Sequence, residues 1–143
     1  MQKGFGSMSI RILLADDHRI VLQGLSRFLQ EQEGMEVVGQ ATDGTMAVAL
    51  AQELKPDIVI MDISMPGLSG IEATRKICKE NPAIKIIGLS MHAAKRYVQE
   101  MCKAGACGYL LKDCDFEELI GAIHTVAEGG MYFAAEFQDV ASR

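Results

Sequence analysis

The sequence has no tryptophan and only three prolines, which excludes collagen-like and proline-rich compositions. No apolar run approaches the roughly 20 residues that cross a bilayer, so no membrane partner is expected. The opening residues, MQKGFGSMS, lack the apolar segment of a secretory signal. Basic residues are not in excess: 14 Lys and Arg stand against 19 Asp and Glu, for a net charge of −5. Phosphate backbones are held by clustered cations, so direct nucleic-acid contact by this chain is not expected. The four cysteines, Cys78, Cys102, Cys107 and Cys114, form no C-x-x-C pair, and no histidine lies at a zinc-like spacing from two of them. Reduced thiols in a cytoplasmic protein are the expectation.

What is present is an ordinary globular composition, 49% hydrophobic and 23% charged, in a chain long enough for one domain with a core. The chain centres on Ile58 to Gly70, IVIMDISMPGLSG. An unalternating apolar run reads as a strand buried on both faces. Asp62 closes that run, and a carboxylate at the end of such a strand sits at the edge where open α/β sheets bind ligands.

Taken in order, Ile10 to Ala15 reads as a strand, closed by Asp16 and Asp17. His18 to Gln32 carries one apolar helical stripe, with Gly34 as its stop. Glu36 to Ala41 is a second strand, and Asp43 caps a helix that runs to about Leu54. Asp43-Gly44-Thr45 echoes the D-x-D-G-T signature of haloacid-dehalogenase-type phosphatases. The partnering position is Ala41, which is not acidic, and helix capping accounts for Asp43.

After the central strand, Ser69 or Gly70 opens a helix that ends before Asn81-Pro82. Ile84 to Leu89 is a fourth strand, followed by Ser90. Ala94 to Ala104 is helical and ends at Gly105. Cys107 to Leu111 is a fifth strand, followed by Lys112. Asp115 and Glu118 have the spacing of a capping box before a helix that runs to Gly129. Met131 to Arg143 shows no clear period.

Five β-α units predict an α/β fold with a parallel sheet and helices on both faces. Right-handed crossovers favour the flavodoxin-like strand order 2-1-3-4-5. That order brings Asp16, Asp17, Asp62, Ser90 and Lys112 to one edge. Three crowded carboxylates repel each other and raise each other's pKa unless a cation intervenes. Hard oxygen ligands suit Mg²⁺, with Mn²⁺ as a substitute. A metal, a lysine and a hydroxyl around a carboxylate describe a site for a phosphoryl group. Singly, the same residues would read as a helix-dipole pair, a cap, a loop hydroxyl and a surface charge.

LLADDH at 13–18, MDISMPGLSGIEATR at 61–75, LSMH at 89–92 and GYLLKD at 108–113 resemble the receiver domain of bacterial two-component response regulators. With GGMYFAAE at 129–136, the wording is most similar to the NarL/FixJ (LuxR-type) subfamily. The resemblance implies a flavodoxin-like (βα)5 receiver over residues 9–132. Residues 1–8 would be a tag remnant or disordered, and residues 133–143 the start of a linker to a helix-turn-helix domain absent from this chain. It implies Asp62 as phosphoacceptor, not an enzyme's turnover nucleophile, and Asp16, Asp17, Asp62 and the backbone carbonyl of Ser64 as Mg²⁺ ligands. Ser90 would be the switch hydroxyl, Lys112 the phosphate-binding cation and Tyr109 the aromatic that moves with the switch. His92 reads as a surface or helix-start residue that, with Ser64, tunes loss of the acyl phosphate.

Implied partners are a sensor histidine kinase, the chain's own C-terminal DNA-binding domain with DNA beyond it, and a second copy in a homodimer. A stand-alone receiver that acts by protein contact, and a metal-dependent phosphohydrolase, are the alternatives. The family pattern often has a proline across a cis peptide after the lysine. Asp113 stands there, where a cis bond would cost about 3 kcal/mol.

Overall fold

A computed structural model describes residues 9–141. The expected tag remnant at residues 1–8 lies outside them. The strands are β1 (Ile10–Ala15), β2 (Met35–Ala41), β3 (Ile58–Met61), β4 (Lys85–Ser90) and β5 (Gly108–Leu111). They alternate with α1 (Arg19–Gln30), α2 (Gly44–Leu54), α3 (Gly70–Glu80), α4 (Lys95–Ala104) and α5 (Phe116–Ala127). All neighbours pair in parallel in the order β2-β1-β3-β4-β5, as the alternation predicts. Reversal of direction between the first crossover and the next three puts α1 on one face and α2, α3 and α4 on the other. The Phe28 ring of α1 stacks on Phe116 of α5, with centroids 4.0 Å apart, so α5 lies beside α1.

The sheet has one strand more than expected. After α5 the chain adds a two-residue strand, β6 (Tyr132–Phe133), parallel to β5. A 3-10 turn (Ala135–Phe137) and a short helix, α6 (Gln138–Ala141), follow. Phe133, Ala134, Phe137 and Val140 are all buried. Three of these, Phe133, Phe137 and Val140, recur at helical intervals, a signal too short to stand out in the sequence.

Capping follows the residue types. Asp43 and Ser69 accept from the amides of Met46 and Glu72, opening α2 and α3. Asp115 likewise accepts from the Glu118 amide, at 2.8 Å. The Glu118 carboxylate, however, accepts from the Tyr132 hydroxyl at 3.0 Å, so it braces β6 and does not return to the Asp115 amide as a capping box requires. Two glycines are needed for close approach. A Cβ on Gly70 would lie 1.9 Å from the Asp62 carbonyl oxygen, and one on Gly44 would lie 1.8 Å from that of Leu68. The first of these contacts seats the start of α3 directly on Asp62.

Candidate functional site

The sheet ladder fixes the backbone of the site. The Asp16 amide donates to Ala41 O, the Asp62 amide to Ala15 O and the Lys112 amide to Ser90 O, at 2.9 to 3.0 Å. Each residue just beyond a strand is thus held by the neighbouring strand. Side chains at successive strand ends then converge, as the strand order requires.

Asp16 and Asp62 are both buried, the latter 3% exposed, whereas Asp17 faces solvent. Lys112 Nζ lies 2.7 Å from Asp16 Oδ2 and 3.5 Å from Asp62 Oδ2. The lysine is therefore closer to the neighbouring carboxylate than to the candidate acceptor. Asp62 Oδ2 is buried without a hydrogen bond. Burial, and then the charge of Asp16, raise the Asp62 pKa; Lys112 opposes both. The Lys112–Asp113 peptide is trans, as are all peptides among the described residues.

His18 joins the site, a role that its residue type and position do not single out in the sequence. Its Nδ1 is 2.8 Å from Asp16 Oδ1, 3.2 Å from Asp17 Oδ1 and 3.3 Å from Lys112 Nζ. Its amide also donates to Asp16 Oδ1 at 2.8 Å. Adjacency to the acidic pair was the available signal, but direct sequence neighbours do not normally point the same way. Here the Asp16 carboxylate turns the chain back on itself and brings the ring round.

The second half of the site hangs on His92. Its amide donates to Ser90 Oγ at 3.0 Å, and its carbonyl accepts from the Tyr109 hydroxyl at 2.7 Å. Its Nε2 pairs with Ser64 Oγ at 2.8 Å, and its ring lies 4.7 Å from that of Tyr97. Ser90 and Tyr109 are completely buried, and burial pushes the Tyr109 hydroxyl up to about 12. His92 thus ties the loop after Asp62 to the loop after Ser90.

Asp16, Asp17, His18 and Asp62 offer ligand atoms that all lie within 4.8 Å of one another. The donors are hard oxygens plus one imidazole, and Asp62 Oδ2 is a buried carboxylate oxygen with no hydrogen bond. Those residues fit a small divalent cation.

The family model described as "Response regulator receiver domain" matches residues 12–124. The chain is 41% identical over 127 residues to the response regulator GacA of Pseudomonas aeruginosa, covering 89% of this chain and 59% of that protein. It is 45% identical over 120 residues to the transcriptional regulatory protein LiaR of Bacillus subtilis, covering 84% of this chain and 57% of that one. A crystal structure of a LuxR-family two-component response regulator from Aurantimonas sp. SI85-9A1 superposes with a TM-score of 0.87 at 36% identity. That match covers 94% of this chain and 96% of the other. The chain spans less than two thirds of the length of these two curated relatives.

Proposed function

The chain belongs to the response regulator receiver family, within its NarL/LuxR branch, and on that premise we propose that Asp62 is its phosphoacceptor. Receivers of this family are two-component signalling domains and not classical enzymes. The observation that carries the proposal is Asp62 Oδ2: a buried carboxylate oxygen without a hydrogen bond, beside a lysine paired more closely with Asp16. An oxygen left in that state is available to attack phosphorus.

Asp16, Asp17, Asp62 and the Ser64 carbonyl would hold Mg²⁺, or Mn²⁺ in its place; His18 would have to yield its contacts with the two carboxylates. The cation would supply charge neutralisation between carboxylates and phosphoryl oxygens. The Asp62 oxygen forms the bond to phosphorus as the bond from phosphorus to the donor breaks, the donor being a phosphohistidine of a sensor kinase or a small acyl phosphate, from which the imidazole or the carboxylate leaves. Lys112 leaves Asp16 for a phosphoryl oxygen. The Ser90 hydroxyl, now an acceptor for the His92 amide, turns to donate to another. Because His92 also holds the Tyr109 hydroxyl, a shift of Ser90 reaches the tyrosine through one residue. The ring's rotamer is then the switch, and His92 with Ser64 sets how readily water reaches the acyl phosphate.

In the cytoplasm, the output of the whole protein would be transcription control through a C-terminal helix-turn-helix domain, by relief of inhibition or by homodimerisation. The test is intact mass after incubation with acetyl phosphate. One phosphoryl adduct that requires Mg²⁺ and disappears in Asp62→Asn is the expected result. Consumption of acetyl phosphate without an adduct would favour a phosphohydrolase instead.

A further inference from the structure

His18 is the N-cap residue of α1, a position that favours short side chains able to accept from the first free amides of a helix. Its side chain makes no such bond. The ring, 59% exposed, is turned back toward the acidic pair, with Nδ1 2.8 Å from Asp16 Oδ1 and 3.2 Å from Asp17 Oδ1. The His18 amide, donating to Asp16 Oδ1 at 2.8 Å, holds the backbone from which the ring reaches. Two ligand atoms at right angles on an ion with bonds of about 2.1 Å stand about 3.0 Å apart. The imidazole nitrogen is therefore spaced from each carboxylate as one adjacent ligand is from another. Asp62 gives an independent sign that an ion belongs here. Its side chain is 4% exposed, its Oδ2 has no hydrogen bond, and it offers a ligand atom within 4.8 Å of those of Asp16, Asp17 and His18. Lys112 Nζ, 3.3 Å from the same imidazole nitrogen, is held at 2.7 Å by the other Asp16 oxygen, Oδ2. Asp16 can thus keep the lysine on one oxygen while the other takes an ion.

We infer that His18 is a fourth side-chain ligand beside Asp16, Asp17 and Asp62, and that it makes the site prefer a divalent transition ion that accepts imidazole, such as Co²⁺, Zn²⁺ or Mn²⁺, over Mg²⁺. The inference deepens the proposed function and rests on its assignment of Asp16 and Asp17 as ligands. As an ion enters, the direct contacts between ring and carboxylates give way to bonds from each to the ion. The ring stays in place. Its proton moves from Nδ1 to Nε2, so that Nδ1 offers a lone pair. Carboxylate oxygens hold Mg²⁺ and transition ions alike. Imidazole adds little to Mg²⁺ and more to Co²⁺ and Zn²⁺ than to Mn²⁺. The choice of ion therefore falls to the one nitrogen in the set.

The test titrates this chain with Mg²⁺ and, separately, with Co²⁺ in a calorimeter, as wild type and as His18→Asn. The variant is expected to bind Co²⁺ about tenfold or more weakly. Its affinity for Mg²⁺ is expected to stay within about twofold of the wild type. His18→Ala, which has no side-chain donor at all, is expected to show the same pattern. In the wild type loaded with Mn²⁺, pulsed EPR is expected to show coupling to an imidazole nitrogen that His18→Asn lacks. Equal Co²⁺ affinity in wild type and variants, or no nitrogen coupling, would overturn the inference and leave the phosphoacceptor standing. Tighter binding of both ions in the variants would overturn it too, because His18 would then compete with the ion for the two carboxylates. Absence of any binding to the wild type would overturn the inference together with the assignment of Asp16 and Asp17, while the mass adduct reports on Asp62 separately.

Discussion

β3 has an aspartate just beyond each end, and the two are in opposite physical states. Asp57, at the amino end, is exposed. Its Oδ2 accepts from the Arg11 amide at 2.9 Å, its own amide donates to Arg11 O, and its carbonyl accepts from Lys85. Asp62, at the carboxyl end, is buried, repelled by Asp16, and leaves one oxygen without a hydrogen bond. The first aspartate stabilises the sheet edge. The second is tolerated there because the ladder and the Gly70 contact hold its backbone whatever its side chain costs. A strained polar group in a stiff frame is what a reactive centre needs.

Asp62→Asn should separate the two states most sharply. The phosphoryl adduct should be lost altogether, while thermal stability at neutral pH rises. The sign follows from the raised pKa. Folding raises the Asp62 pKa, so this residue's contribution to stability is most favourable at low pH and is lost as pH rises through the folded pKa. The variant's gain in Tm should therefore shrink as pH falls toward the ordinary aspartate value of 3.8, and a gain independent of pH would contradict the assignment.

Gly70→Ala tests the frame in place of the charge. Its methyl would meet the Asp62 carbonyl oxygen at 1.9 Å, and a loss of about 3 kcal/mol or more in denaturant unfolding is expected. Gly24→Ala, in α1 with nothing within 4 Å, should instead stabilise by about 0.5–1 kcal/mol. Equal effects at the two glycines would mean that the close approach to Asp62 is unimportant.

Lys112→Ala removes the cation between two buried carboxylates. Metal should still bind, but phosphorylation by acetyl phosphate should slow by about tenfold or more, equivalent to at least about 1.4 kcal/mol of barrier. Its dependence on pH should move upward, since the lysine's lowering effect on Asp62 is gone. Wild-type kinetics in that variant would remove Lys112 from the site. Asp57→Ala should cost about 1 kcal/mol of stability, the value of one hydrogen bond to an amide, with unaltered phosphorylation.

These contrasts also mark what could be read in the residues. Asp16, Asp17, Asp62, Ser90 and Lys112 were legible because each stands at or just beyond the end of an apolar run, and strand order alone brings such positions together. His18 was not, because its place depends on a turn closed by Asp16; His92 could be paired with Ser64 only through the family resemblance, because their bond spans two loops. The tail was missed for a different reason. Phe133 lies in the two-residue β6, and Phe137 and Val140 span barely one turn, too little for a period to stand out from chance.

By itself the sequence determined the alternation of strands and helices, hence the parallel sheet and the edge at which the polar residues gather. These follow from local preference and burial, which each segment carries in its own side chains. Only the tertiary structure decided that Lys112 leans toward Asp16, that Tyr109 lies buried under Phe137, and that one Asp62 oxygen has no hydrogen bond. Each of those is a competition between groups far apart in the chain, settled by distances of a few tenths of an ångström that no segment encodes alone.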